Sequence, residues 1–423
     1  MSFYKSFGIY TICGLIAKGI SFFLLPFFTH YLSQSEYGII VIFSNSIYFI
    51  APLMNMGIGE TFTVEYGTID KKQLTSFVST SLTIPVLVLL LVLLVVACFH
   101  SFFFKLTGLT EAVQYIVCFF SFSNFFSDYL FTVLRNKNKP LSFGVLAILK
   151  TVLELVLAVL FIRFLRMGYM GRVQSMFIST AVVFVVTLFY FIKSGLLTFR
   201  YSKSWALLIL KRGFPAIPLF FMVFVLYNTD KYMVNYLFGS AKAGLYGLAA
   251  QFAFIITMLS SAFITPFYPF LYDNLNKGDY LKVVKVTGSY ILLLAVAGLS
   301  IYLLAPIGFR YFIAPKFHPS LYYLPFLIIG QFFYSAYMIL GGLVYYKRQN
   351  NIYYLVCPAV ILFSIAVNYY LLDILKIGQF GYSSLLSYLF CFMLIAFFYR
   401  REIKKAIVIL SGSKAYQLNK SPE

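Results

Sequence analysis

The amino-acid sequence predicts an all-α integral membrane protein of twelve transmembrane helices, and three observations carry that prediction. The 423-residue chain is 61% hydrophobic and 11% charged, with a mean hydropathy of +0.88. A soluble domain averages about 45–50% apolar and about 25% charged residues, because it keeps a polar shell, so a water-soluble enzyme is excluded. Lys, Arg, Asp and Glu are absent from the intervals 37–59, 73–104, 173–192, 243–272, 286–309, 317–346, 349–372 and 377–399. Each is long enough for a helix that crosses a bilayer, which takes about 20 apolar residues. These runs are continuously apolar, whereas barrel strands are about 10 residues long and alternate apolar with polar. The third observation is the uneven distribution of cations among the connections, the mark of a fixed orientation.

In chain order the expected spans are roughly 7–29, 37–59, 78–99, 112–134, 141–163, 173–192, 213–238, 243–271, 286–309, 320–345, 352–372 and 381–399. The first holds Lys18 and Pro26 and lacks a small-residue cleavage site, so it reads as a retained helix and not a signal peptide. Of 33 Lys and Arg, 22 lie on one set of connections, 8 on the opposite set and 3 within spans. The positive-inside rule then places both termini in the cytoplasm. The net charge of +20 is thus mainly a topology signal. No continuous basic patch forms, which excludes nucleic acid as a partner.

A repeat underlies the twelve spans. Tyr31-Leu32-Ser33 followed by Glu36-Tyr37-Gly38 is echoed by Tyr236-Leu237-Phe238 followed by Ala243-Gly244-Leu245-Tyr246. The basic-amide hairpin Arg135-Asn136-Lys137-Asn138 is echoed by Lys347-Arg348-Gln349-Asn350-Asn351. The expected organisation is an N-terminal six-helix lobe over 1–200, a C-terminal six-helix lobe over 201–400 and a basic cytoplasmic tail over 401–423. Because six is even, the two lobes share one orientation, the parallel-repeat arrangement.

Chemical motifs are sparse. Cys13, Cys98, Cys118, Cys357 and Cys391 sit in apolar runs with no CxxC spacing, and the three His are scattered, so no metal site, disulfide framework or cofactor is expected. There is no G-x-x-x-x-G-K-[ST] phosphate loop, GxSxG or HExxH, which argues against ATP hydrolysis and against the familiar hydrolases.

Function is sought instead in charges placed within spans, each costing about 2.5–3.5 kcal/mol at a helix centre. The cations are Lys18, Lys150 and Lys231, and their candidate acidic companions are Asp128, Glu154 and Asp230. Lys150 and Glu154 stand four apart on one helical face, as a self-neutralising pair or as cavity groups. Ser121, Asn124 and Asp128 form a ridge leading toward Arg135; it lines a cavity or seals a helix seam by hydrogen bonds. Tyr227, Lys231 and Asn235 share a face beside Asp230, after Pro215 and Pro218; Lys18 and Pro26 repeat that pattern, so the three prolines are the expected kinks of moving gates. Aromatics make up 20% of the chain, with 35 Tyr and one Trp, Trp205.

Several stretches resemble the Wzx-type polysaccharide flippases of the multidrug/oligosaccharidyl-lipid/polysaccharide exporter (MOP) superfamily. They are Lys18 with Pro26–Ser33 and Glu36-Tyr37-Gly38, then Asn55-Met56-Gly57-Ile58-Gly59-Glu60, and most specifically Asn228-Thr229-Asp230-Lys231 with Gly239 and Ala243-Gly244-Leu245-Tyr246. The resemblance implies a MATE-like fold of two six-helix lobes around a central cavity. It implies a cargo of undecaprenyl-pyrophosphate-linked oligosaccharide, flipped across the bacterial inner membrane for O-antigen, capsule or exopolysaccharide synthesis, with a polysaccharide polymerase downstream. On this reading Lys18, Lys150, Lys231, Asn124 and Tyr227 face the cargo, and Asp128, Glu154 and Asp230 are candidate carriers of H+ or Na+. Arg135, Lys137, Lys211 and Arg212 would gather the anionic headgroup at the cytoplasmic mouth. A monomer is expected, since one chain holds both lobes. The competing readings are a cation-coupled multidrug exporter of the same superfamily and a membrane polysaccharide polymerase or ligase; the latter usually needs a large outer loop, and the outer connections here are short. A reporter fused after Lys420 is expected to be active only if it functions in the cytoplasm, as paired alkaline phosphatase and fluorescent-protein fusions would show.

Overall fold

The computed structural model describes residues 24–197, 201–349, 351–376 and 378–404. Every regular element among them is helical, and eleven helices are long and apolar enough to cross a membrane. They coincide with the second to twelfth expected spans. The first, over 7–29, falls largely outside the described residues, as do Lys18 and the tail beyond Lys404.

In chain order the helices are α1 Leu25–Tyr31, α2 Gln34–Asn55, α3 Ile58–Glu65, α4 Lys71–Ser81, α5 Thr83–Thr107, α6 Glu111–Asn136, α7 Pro140–Val159 and α8 Gly168–Lys193. There follow α9 Lys203–Gly213, α10 Ile217–Phe238, α11 Ser240–Asn276, α12 Tyr280–Phe312, α13 Leu324–Tyr346, α14 Ile352–Asn368 and α15 Gly381–Phe398. Their ends are written locally. Ser33 and Glu36 form a capping box at the start of α2, and Asp70 with Gln73 does the same for α4; such boxes satisfy two backbone N–H groups that the helix itself leaves open. Gly108 ends α5 in the left-handed conformation (φ 71°), which costs glycine nothing.

The chain divides into two compact units. One runs to Phe224 and includes Val234–Gly244; the other comprises Val225–Met233 and everything from Leu245 onward. In the first, α6 is the central element, packed against α2, α5 and α8, with α7 paired to α8. α6 is mostly buried and α7 mostly exposed, so α6 is the core of this unit and α7 lies at its outside. In the second, α13 is central and packs along α15, with α12 and α14 outside.

The repeat has a structural signature. Asn138 and Arg348, 210 positions apart, both have positive φ (51° and 54°), and so do Arg166 and Lys376 (54° and 50°). The helices before the second pair, α7 and α14, both end in a π-helical turn, at Leu160–Phe164 and Tyr369–Ile374. The echoed motifs also touch, at the first turns of α2 and α11. A Cβ on Gly38 would lie 1.8 Å from the Ser240 carbonyl oxygen and 3.0 Å from the Gly244 nitrogen. A Cβ on Gly244 would lie 2.2 Å from the Gln34 carbonyl oxygen and 2.9 Å from the Gly38 nitrogen. Gln34 precedes Gly38 by the four positions that separate Ser240 from Gly244, so the contact is reciprocal.

Backbone approaching backbone leaves no side chain to move aside. Gly38→Leu or Gly244→Leu is expected to lower the unfolding temperature in detergent, with an overpacking cost of at least about 1–3 kcal/mol. Gly288→Leu, at a position where a Cβ meets nothing within 4 Å, is expected to leave it unchanged.

Candidate functional site

In the first unit the polar ridge of α6 divides. Ser121 is buried and its hydroxyl turns back to the Val117 carbonyl (2.8 Å), a self-contained bond. Asn124, one turn on, faces α7. Its Oδ1 accepts from Lys150 Nζ at 2.9 Å, and its Nδ2 donates to Asp128 Oδ2 at 2.9 Å. One amide therefore joins cation and carboxylate, and Asp128 is the most exposed of the three.

Glu154 is not the partner of Lys150. Its carboxylate binds the Arg172 guanidinium at 2.7 Å, with the two side chains 20% and 10% exposed. The four-residue spacing does put Lys150 and Glu154 on one face, but Asn124 takes the ammonium and Arg172, from the start of α8, takes the acid. Arg172 also lies over the Phe28 ring, 4.9 Å from its centroid. The sequence counted Arg172 among the outer connections because it precedes a charge-free interval, whereas α8 begins at Gly168 and makes it helical.

The residues expected at the cytoplasmic mouth are also placed. Arg135, in the last turn of α6, is exposed and donates to Thr132 Oγ1 at 3.2 Å. Lys137 lies over the Tyr190 ring at 5.5 Å. Arg212 is bound to Glu65 at 2.6 Å, and Lys211 is exposed.

The second unit is built differently. Asp230 is 3% exposed and is held mostly by neutral donors. Tyr246 OH donates to its Oδ2 at 2.5 Å, Ser384 Oγ donates to the same oxygen, and the Lys231 backbone N–H donates to Oδ1 at 2.7 Å. The Lys231 ammonium bonds the Tyr227 carbonyl and stands 3.5 Å from Asp230 Oδ1. Tyr227 OH reaches Thr257 Oγ1 (3.4 Å) and Gln331 Oε1 (3.5 Å). Thr257 Oγ1 donates to Gln331 Oε1 (2.5 Å), and Gln331 Nε2 donates to Tyr388 OH (3.4 Å). The rings of Tyr334 and Tyr388 meet Tyr227 edge-on at 5.0 and 5.7 Å.

Asn235 does not join Tyr227 and Lys231. Its Nδ2 donates to the Thr107 carbonyl (2.9 Å) and its Oδ1 accepts from Ser240 (2.9 Å), both within the first unit. The prolines expected as kinks stand at helix starts: Pro26 in the first turn of α1, Pro218 in that of α10, and Pro215 in the 3-10 turn before it. The prolines inside helices are Pro52, Pro266, Pro269, Pro306 and Pro358. Sequence reasoning passed over Thr257, Gln331, Ser384 and Tyr388, which carry no charge to stand out in apolar helices. Among the described residues no group of three or more His, Cys, Asp or Glu is placed to hold a metal ion.

No family model matches the chain. A segment of 108 residues is 37% identical to part of the Bacillus subtilis (strain 168) protein named Probable multidrug resistance protein YpnP. The match spans 25% of this chain and 24% of that protein's length. The fold is more widely shared. An inward-facing multidrug resistance MATE family transporter of the MOP superfamily superposes with a TM-score of 0.73 at 12% identity, covering 92% of this chain and 94% of that one. The outward-facing conformation of a MATE family transporter of the same superfamily gives 0.60 at 14%, covering 95% and 96%. A Pyrococcus furiosus MOP superfamily transporter, described as having a binding pocket of reverse polarity, gives 0.65 at 15%, again covering 95% and 96%. The chain thus has the MATE-like, all-helical fold of these transporters.

Removing one partner of a buried ion pair strands the other. Glu154→Ala is expected to destabilise the protein by about 3–5 kcal/mol, and Glu154→Leu with Arg172→Met to recover most of that loss, as thermal unfolding of the purified variants would show.

Proposed function

We propose that this protein is a transporter of the bacterial inner membrane that moves an undecaprenyl-pyrophosphate-linked oligosaccharide from the cytoplasmic to the outer leaflet by alternating access. The coarser part of that reading, multi-pass transport, rests on the shared fold and the eleven apolar helices. The cargo rests on one observation. Lys150, within an apolar span, is bonded to the Asn124 amide at 2.9 Å, while its two acidic neighbours are engaged by other groups, Glu154 by Arg172 and Asp128 by Nδ2 of that same amide.

An ammonium bound directly to a carboxylate has its charge largely cancelled. One held by an amide keeps more of its field for a third party, and a buried charge in a transporter is normally found facing a pathway. A pyrophosphate brings about two negative charges into a low-dielectric region, where a positioned cation offsets part of the desolvation cost. Asn124 also fixes the ammonium, so that less ordering remains when the cargo arrives. The exposed Arg135 and Lys211 suit the gathering of anionic headgroups at the mouth.

A second reading, a cation-coupled exporter of drug-like cations, is favoured by Asp230. A buried carboxylate held by hydroxyls, with the Lys231 ammonium only at 3.5 Å, can exchange a proton or a small cation, and the YpnP segment points the same way. Liposomes separate the two. Purified protein is expected to expose pyrophosphoryl-lipid-linked sugar to an impermeant reagent on the far leaflet, and Lys150→Ala to slow this at least about tenfold, the equivalent of about 1.4 kcal/mol, without loss of insertion. Movement of cationic dyes but not of the lipid-linked sugar would establish the second reading instead.

A further inference from the structure

The candidate site leaves unused a surface formed where α9 packs against α4. α9 leads through the 3-10 turn Phe214–Ala216 into α10, and α4 leads into α5, giving two apolar helical runs of 36 residues each, Lys203–Phe238 and Lys72–Thr107. At 1.5 Å per residue each is about 54 Å long, against a hydrocarbon core of about 30 Å. Each therefore overruns the core by several turns, and the ends bearing Lys72 and Lys203 to Arg212 suit the part beyond it, where cations stay hydrated. These ends are together. Trp205 meets Phe77 edge-on at 5.3 Å, and the Ser202 N–H donates to Thr80 Oγ1 at 2.9 Å.

α9 is two-faced. Ala206, Ile209 and Gly213, at i, i+3 and i+7, are buried. Gly213 is pressed so closely on the Met56–Gly57 turn that a Cβ there would lie 1.9 Å from the Met56 carbonyl oxygen, which fixes the helix by that face. The opposite stripe is Lys203, Leu207, Lys211 and Phe214, at i, i+4, i+8 and i+11, all exposed, with Leu207 at 57% and Phe214 at 68%. α9 carries no acidic residue. Arg212 is held by Glu65, so the stripe's positive charge is that of Lys203 and Lys211.

Cations alternating with exposed large apolar residues along one helical face match the polar-apolar boundary of a bilayer: the rings and branched chains dip toward the acyl region while the ammonium groups reach phosphate oxygens. We propose that the Lys203–Leu207–Lys211–Phe214 stripe is a docking surface for the anionic phospholipid headgroups of the surrounding leaflet. Charge complementarity selects the occupant, since zwitterionic headgroups gain little from two uncompensated lysines. Lys211 is shared with the proposed gathering of cargo headgroups at the mouth, but the occupant here is bulk phospholipid at the outside of the helix, and the vesicles of the test hold no lipid-linked sugar.

The test uses the one tryptophan of the chain, Trp205, which stands on α9 itself and so reports locally. The full-length protein is reconstituted in phosphatidylcholine vesicles containing a minor fraction of phosphatidylglycerol, with brominated acyl chains on one lipid or the other. Brominated phosphatidylglycerol is expected to quench Trp205 several-fold more, per molecule, than brominated phosphatidylcholine. That preference is expected to weaken as ionic strength rises, to fall by about half or more for each of Lys203→Gln and Lys211→Gln, and to approach equal quenching when both are replaced. Lys316→Gln with Lys376→Gln, cations elsewhere in the chain, is expected to keep it. Equal quenching by the two lipids in the unmodified protein, or an undiminished preference in the Lys203→Gln/Lys211→Gln variant, would overturn the proposal.

Discussion

A backbone in hydrocarbon has no water to bond, and every N–H and C=O must find its partner within the protein. All else in this molecule follows from that constraint. It makes the described elements helical. It also governs the polar side chains, many of which are turned onto their own helix: Ser46 bonds the Ile42 carbonyl, Ser121 that of Val117, Thr151 that of Ala147 and Thr187 that of Val183. Such groups are satisfied locally and say little about function. The informative ones are those that bond between helices, because each was placed where a single helix offered no remedy.

Among those bonds, the ones made around charged side chains within spans differ between the two units. The first uses ionised groups, Lys150 with Asn124 and Asp128, and Glu154 with Arg172. The second sets one acid, with Lys231 at 3.5 Å, among hydroxyls and an amide, from Tyr246 and Ser384 around Asp230 to Thr257 and Gln331 beside Tyr227. A repeat that keeps its backbone irregularities, as at Asn138 and Arg348, has thus acquired unlike interiors. Backbone geometry sets the fold, whereas a few side chains set what each interior attracts.

The spans were legible because hydropathy and charge-free length are properties of contiguous sequence, and the constraint acts on each span separately. The charged candidates were legible for the same reason: Lys150, Asp230 and Glu154 interrupt apolar runs. Their partners were not. Periodicity places Lys150 and Glu154 on one face, yet it says nothing of Asn124 or Arg172 arriving from other helices. Neutral groups such as Gln331 and Ser384 leave no mark on a hydropathy profile. The prolines were legible as positions but not as local geometry: Pro215 lies in the 3-10 turn that joins α9 to α10, and Pro218 in the first turn of α10.

The reciprocal approach of Gly38 and Gly244 has an evolutionary consequence. Copies within a duplicated chain are free to diverge wherever their surroundings differ, as the two interiors have done. At this contact the surroundings of each copy are the other copy. A side chain added on either side meets backbone on the other, and a glycine opposite has nothing left to give up. Elsewhere the two stretches are free to differ, but at these glycines each sets the limit of the other.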